Sequence, residues 1–174
     1  MIAAQIIGVI AVLSMIISFT RRQRRQILVW QIIVTVLWTV HFLLLGVPTG
    51  AATNGSLIVR NIIFHYKEDK KWAQSSFWLR FFIAVAVVIG ILTGDSALSI
   101  LPVVGSILST VSMWMKKPLH IRLLTLPVSV CWIIYNAVSG SVAGVCNEVI
   151  AIVTILSAVV RIDLPARKAT TELK

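Results

Sequence analysis

A few polar side chains stand inside long apolar runs of this sequence, and their types suit holding a small solute better than breaking a bond. Asn54 and Asn147 carry amides that donate and accept at once, Glu148 carries a carboxylate, and Trp38, His41, Trp132 and Tyr135 present flat faces with polar edges. Arg60 adds a guanidinium that keeps its charge. Amides would orient a polar solute and aromatic faces would stack on it. The competing role is packing: an Asn in a membrane helix fastens a neighbour for about 0.6 kcal/mol, and a Trp near an interface belongs to the aromatic belt.

Glu148 falls about one turn below the end of its apolar run, where a carboxylate costs several kcal/mol unless it pairs, takes up a proton or reaches water. Either it faces a cavity and binds a cation, a proton or a solute group, or it is solvated by headgroups or protonated and bonded to Asn54 or Tyr135. Arg60 lies about 10 Å from the nearer membrane edge, within reach for a long side chain. It either anchors the topology or serves as a gate or anion-binding group.

Nothing here has the pattern of an enzyme. His41, His65 and His120 fall in different segments at different depths, and neither Cys131 nor Cys146 has a His or Cys at ligand spacing, so no metal is expected. Phosphate-cradling glycine loops and the G-x-S-x-G elbow are missing from the sequence, and no cofactor is expected. The two cysteines lie at different distances from the turn near Gly140, which favours packing over a disulfide.

The elements that must position these groups are membrane helices. Of 174 residues 58% are hydrophobic and 13% charged, too apolar a composition to be covered with polar surface in water. Apolar runs occur at about Ile2–Thr20, Ile27–Leu45, Gly50–Tyr66, Phe77–Leu92, Ala97–Met115, Leu123–Val138 and Val142–Ile162. Helices are expected for all, because hydrocarbon leaves no other partner for the backbone. The net charge of +10 lies in every second gap, at Arg21–Arg25, Lys67–Lys71, Lys116–Arg122 and from Arg161 onward. Gaps near Gly46–Gly50, Gly94–Ser96 and Ser139–Gly144 hold no basic residue.

This alternation predicts seven spans with the N-terminus outside and the C-terminus cytoplasmic. It also accounts for the basic charge without nucleic acid, since anionic headgroups attract each surface Lys or Arg by about 1 kcal/mol. Met1–Gln5 lacks the basic region of a secretory signal, so the first run is expected to remain as a span. Pro102 and Pro127 invite kinks in the fifth and sixth spans.

An internal repeat organises the spans. Val34-Thr35-Val36-Leu37-Trp38 matches Val128-Ser129-Val130-Cys131-Trp132, and Gly46 and Gly50 match Gly140 and Gly144, all at an offset of 94. His41 then matches Tyr135 and Asn54 matches Glu148, with Asn147 one position away. The chain divides into a triple-helix repeat at 1–72, a linker helix at 73–95, a second repeat at 96–163 and a tail at 164–174. An odd linker makes the repeats parallel. The fourth run has no polar side chain from Phe81 to Leu92, as suits a helix facing lipid on most sides.

A compact 3+1+3 arrangement of this kind resembles the SWEET and PQ-loop superfamily of small-solute carriers. The stretch Leu101-Pro102-Val103-Val104-Gly105, the run Trp132-Ile133-Ile134-Tyr135-Asn136 with Gly140, and Arg161 at the close of the last span resemble the YgjV-type bacterial inner-membrane family. The first resemblance implies that Asn54 and Asn147, at one depth in matching helices, hold the solute, with Trp38, Trp132, His41 and Tyr135 around them. The expectation is an all-α inner-membrane carrier of a small polar solute, working by alternating access. A non-transporting scaffold and a homo-oligomeric pore are its rivals.

Overall fold

Segments that must satisfy their own backbone groups become helices. The computed structural model describes residues 2–44, 48–93, 100–138 and 142–165, and their regular elements are all helical. In chain order these are α1 (Ile2–Thr20), α2 (Arg24–Leu44), α3 (Pro48–His65), a 3-10 turn (Tyr66–Glu68), α4 (Lys71–Gln74), α5 (Ser76–Thr93), α6 (Ile100–Trp114), α7 (Pro118–Val138) and α8 (Val142–Ala158). α8 runs on into a π-helical turn at Val159–Asp163. The turns expected at Gly46, Gly94–Ser96 and Ser139–Gly140, and the tail from Ala166, lie outside the described residues.

Packing follows chain order. α2 lies against both α1 and α3, α7 lies against both α6 and α8, and α5 rests on α6. The two sets meet where α1 packs on α8 and α3 on α6. Large apolar side chains cover the outside, with Val149, Val153, Leu156 and Val160 forming one face of the last helix and Val88, Ile91 and Leu92 exposed on α5. Water would not leave such stripes uncovered, whereas lipid is their natural neighbour. The segments Pro118–Tyr135 and Gly144–Asp163 are long and apolar enough to cross a membrane; Ile6–Thr20, Ser76–Leu92 and Val103–Trp114 are apolar but shorter.

Burial is uneven along the helices. Buried side chains run from Arg24 to Thr35 in α2, from Arg60 to Phe64 in α3, from Ile121 to Ser129 in α7 and from Ala151 to Ala158 in α8. All four stretches lie toward the end where the basic clusters gather. The described side chains nearer the opposite end of these helices are half-buried or exposed. An apolar core of Phe19, Ile27, Leu28, Phe64, Met113 and Ile121 seals the basic end.

Two helices reach further into the basic clusters than hydropathy alone indicates. α2 begins at Arg24, three residues before Ile27, and α7 at Pro118, five before Leu123. Pro118 suits a first helical position, where its fixed φ fits and its missing N–H would have no partner. α7 continues through Pro127 without ending. Both cysteines are free thiols.

Candidate functional site

At the basic end two buried arginines reach from one helix set to the other. Arg24, near the start of α2, donates from Nε to Met115 O at 2.6 Å and from Nη2 to Met113 O at 3.1 Å, both at the end of α6. It also donates to Phe64 O at 3.0 Å and pairs with Glu68 at 3.3 Å, both within its own set. Arg122, one turn into α7, does the reverse. It donates from Nε to Phe19 O at 2.8 Å and from Nη2 to Arg21 O, at the end of α1, while Asp163 takes its Nη1 at 2.6 Å on both oxygens.

The carbonyls at the end of a helix lack partners within it, and they carry the negative end of the helix dipole. A guanidinium satisfies several of them at once, and its charge is balanced by a carboxylate on its own side. The acceptors correspond: Met113 and Met115 stand at an offset of 94 from Phe19 and Arg21. So do the bonds beneath them. Ser18 Oγ donates to Ile27 O at 3.1 Å and accepts from Gln31 Nε2 at 3.2 Å, while Ser112 Oγ donates to Ile121 O at 2.8 Å and meets Thr125 Oγ1 at 3.0 Å.

A third arginine crosses between the sets deeper in. Arg60 on α3 is 2% exposed and donates from Nη1 to Thr110 Oγ1 at 3.1 Å and Ser109 Oγ at 3.3 Å, both on α6. Its Nε and Nη2 share Asn61 Oδ1 at 3.2 and 3.0 Å. The Asn61 amide nitrogen is itself buried without a hydrogen-bond partner.

Asn147, His41 and Trp132 make contacts within their own sets. Asn147 Nδ2 donates to Glu148 Oε1 at 3.2 Å, a partner other than the Asn54 and Tyr135 considered from sequence. Asn147 Oδ1 is buried without a partner. Asn54 is half-buried and engaged with a neighbour. Trp38 meets His41 edge to face at 5.0 Å, and His41 Nδ1–H donates to Ala4 O at 2.8 Å on α1. Trp132 meets Tyr135 in the same way at 6.0 Å. Its indole lies so close over Gly105 on α6 that a Cβ there would stand 3.0 Å from Nε1. The matched aromatic pairs therefore fasten α2 to α1 and α7 to α6.

Beside the Arg24 contact a cleft of about 490 Å³ is lined by Lys67, Glu68, Gln74, Ser76, Trp114 and Lys116. Lys67 Nζ lies 3.4 Å over the Trp114 ring and donates to Trp114 O at 2.7 Å. Burial, helped by Arg24 and Lys116 and opposed by Glu68, lowers its pKa to about 8. No group of three or more His, Cys, Asp or Glu placed to hold a metal occurs among the described residues.

Sequence reasoning singled out Arg60 but passed over Arg24, Arg122, Glu68 and Asp163, which it absorbed into the basic clusters and their flanks. A signal was present. Arg24 and Arg122 fall one helical turn apart when the two stretches are aligned at the offset of 94, so each can face the same way while missing the other in a strict match.

Residues 2–165 match the family model Imp-YgjV, described as a bacterial inner membrane protein. The chain is similar to inner membrane protein YgjV of Escherichia coli (strain K12), 31% identical over 145 residues, which is 83% of this chain and 76% of that protein. No solved structure matches it.

Proposed function

The chain belongs to the Imp-YgjV family of bacterial inner membrane proteins, and from that premise we propose that it is a carrier of a small polar solute, working by alternating access between its two helix sets. The reading takes α1–α3 and α6–α8 as parallel repeats joined by the lipid-facing helix α5, in the manner of SWEET and PQ-loop carriers, with seven spans, the N-terminus outside and the basic end in the cytoplasm. In this reading the protein has no enzymatic role.

One observation carries it: the reciprocal arginine contacts. Each set clasps the first helix of the other by polar bonds gathered at one end, and that end is also where burial is concentrated. Polar bonds to helix-end carbonyls can be exchanged for water and headgroups once the sets part, which is the property a gate requires, while apolar packing resists such exchange. The conformation is then shut at the basic end and loosened at the other.

The containment of Glu148, Asn147 and the aromatic pairs within single sets favours a second reading, a non-transporting scaffold in which buried polar groups only fasten helices. Spin labels on exposed Thr20 and Lys117, on opposite sets at the basic end, separate the two by electron–electron resonance in proteoliposomes. A carrier gives a distance distribution that broadens toward longer values when Arg24 and Arg122 are both changed to Gln. One narrow distance, unmoved by those changes, belongs to a scaffold. Where uptake of a solute is found, Asn54→Ala and Glu148→Gln should each reduce it sharply with folding intact.

A further inference from the structure

Three arginines bridge the two helix sets, and they differ in one respect. Arg24 is balanced by Glu68 and Arg122 by Asp163. Among the described residues Arg60 has no carboxylate; its bonds go to an amide oxygen and two hydroxyls, all neutral. Yet of the three it lies furthest along its helix from the basic end, on the α3 face that meets α6. Glu148, in the second set, takes its hydrogen bond from Asn147.

A buried charge normally acquires a partner of opposite sign, and leaving one uncompensated costs several kcal/mol. The local hydrogen bonding shows where a partner would fit. Arg60 Nη2 spends one N–H on Asn61 Oδ1 and retains another, and the Asn61 amide nitrogen beside it, with no exposure at all, donates to nothing. One residual guanidinium N–H and an idle amide group together make a donor set with no acceptor. Two of the present acceptors, Ser109 and Thr110, belong to the other helix set and withdraw when the sets part.

We propose that Arg60 and Asn61 form a binding site for a small monoanionic carboxylate, which replaces the Ser109 and Thr110 hydroxyls as the partner of the guanidinium. The proposal rests on the carrier reading for access to the site. A carboxylate matches the planar fork of arginine with two parallel bonds, and one negative charge balances one buried positive charge where a phosphate dianion would leave an excess. Arg60 thereby gains the counter-charge that Arg24 and Arg122 take from the chain itself.

The test is thermal unfolding of the full chain in phosphatidylcholine nanodiscs, followed by tryptophan fluorescence at constant ionic strength. Acetate, lactate and benzoate are the probes, with acetamide and inorganic phosphate as controls. A carboxylate at about a hundred times its dissociation constant should raise the melting temperature by about 5 °C or more, and acetamide should not. Arg60→Gln and Asn61→Ala should abolish or weaken the shift, and Arg60→Lys, which keeps the charge but loses the fork, should weaken binding about tenfold. If Arg60→Gln fails to fold, Ser109→Ala with Thr110→Val carries the decision: freeing the guanidinium should tighten carboxylate binding, an effect no structural role produces. Equal shifts with acetate and acetamide, or a carboxylate shift that survives in Arg60→Gln, would overturn the proposal. So would stabilisation appearing only when phosphatidylglycerol is added, which would mark a lipid-headgroup site. Carboxylate binding without uptake removes the carrier reading and leaves the site; uptake of a neutral solute with no carboxylate binding does the opposite.

Discussion

The Arg122–Asp163 pair is the sharpest place to test whether the basic end is a gate. Arg122 is wholly buried and the Asp163 side chain only 11% exposed, with Nη1 at 2.6 Å from both carboxylate oxygens. Removing either partner leaves the other charged and desolvated, so Arg122→Gln and Asp163→Asn should each cost about 3–5 kcal/mol of the shut conformation. The double variant replaces a buried ion pair with two neutral amides. Its cost should fall short of the sum of the singles by roughly 2–3 kcal/mol. Since about 1.4 kcal/mol is tenfold, losing about 3 kcal/mol from the shut state alone moves the shut-to-open ratio by roughly a hundredfold. The assay is a double-mutant cycle of unfolding in nanodiscs, paired with the rate at which an impermeant thiol reagent labels Ile27→Cys after Cys131 and Cys146 are replaced by Ala. Ile27 is fully buried beside the basic end, so its labelling reports opening. Single costs that add within about 0.5 kcal/mol would show that the two residues share no bond. Strong coupling with an unchanged labelling rate would make the pair a static clasp, and the gate would be refuted.

Three further outcomes follow from the same geometry. Glu68 is 38% exposed where Asp163 is nearly covered, so Glu68→Gln, which leaves the buried Arg24 to its carbonyl partners, should cost about 1–3 kcal/mol, less than Asp163→Asn; Arg24→Gln, which strips three carbonyl partners, should cost about 2–4 kcal/mol in the same unfolding measurement. Lys67 holds a pKa of about 8 when folded against 10.5 when unfolded, so between those values the unfolded chain binds more protons. Stability should therefore rise with pH across that window, and Lys67→Met should remove this part of the slope in a pH series of melting curves. Finally, a Cβ on Gly90 would stand 2.2 Å from Val103 Cγ2, and a β-branched side chain turns away from such a contact with difficulty. Gly90→Ala should loosen α5 from α6 at a cost of about 1–3 kcal/mol, read as a lower melting temperature.

Much of the architecture is visible in the one-dimensional pattern because hydrocarbon imposes a simple code. Apolar runs mark helices, and α1, α5, α6 and α8 coincide with them to within a few residues. The basic clusters mark a common end, and the offset of 94 recurs in the hydrogen bonds of Ser18 and Ser112. The candidate site was less legible. Hydropathy reads Arg24 and Arg122 as loop charge, because a charge count does not distinguish a lysine in water from an arginine turned inward on helix carbonyls. For the same reason Glu68 and Asp163 look like scattered acids, although each balances a buried cation.

Composition and spacing by themselves determined that this chain folds as helices in lipid and that its two stretches echo each other, since solvent polarity and helical period act locally and leave their mark residue by residue. Only the tertiary structure decided which arginines are buried, which of them have a carboxylate, and that Arg60 finds two of its three partners in the other helix set. Those facts depend on which surfaces α1, α3, α6 and α8 bring together, and contacts between residues some fifty to a hundred positions apart are not written in any window of the sequence.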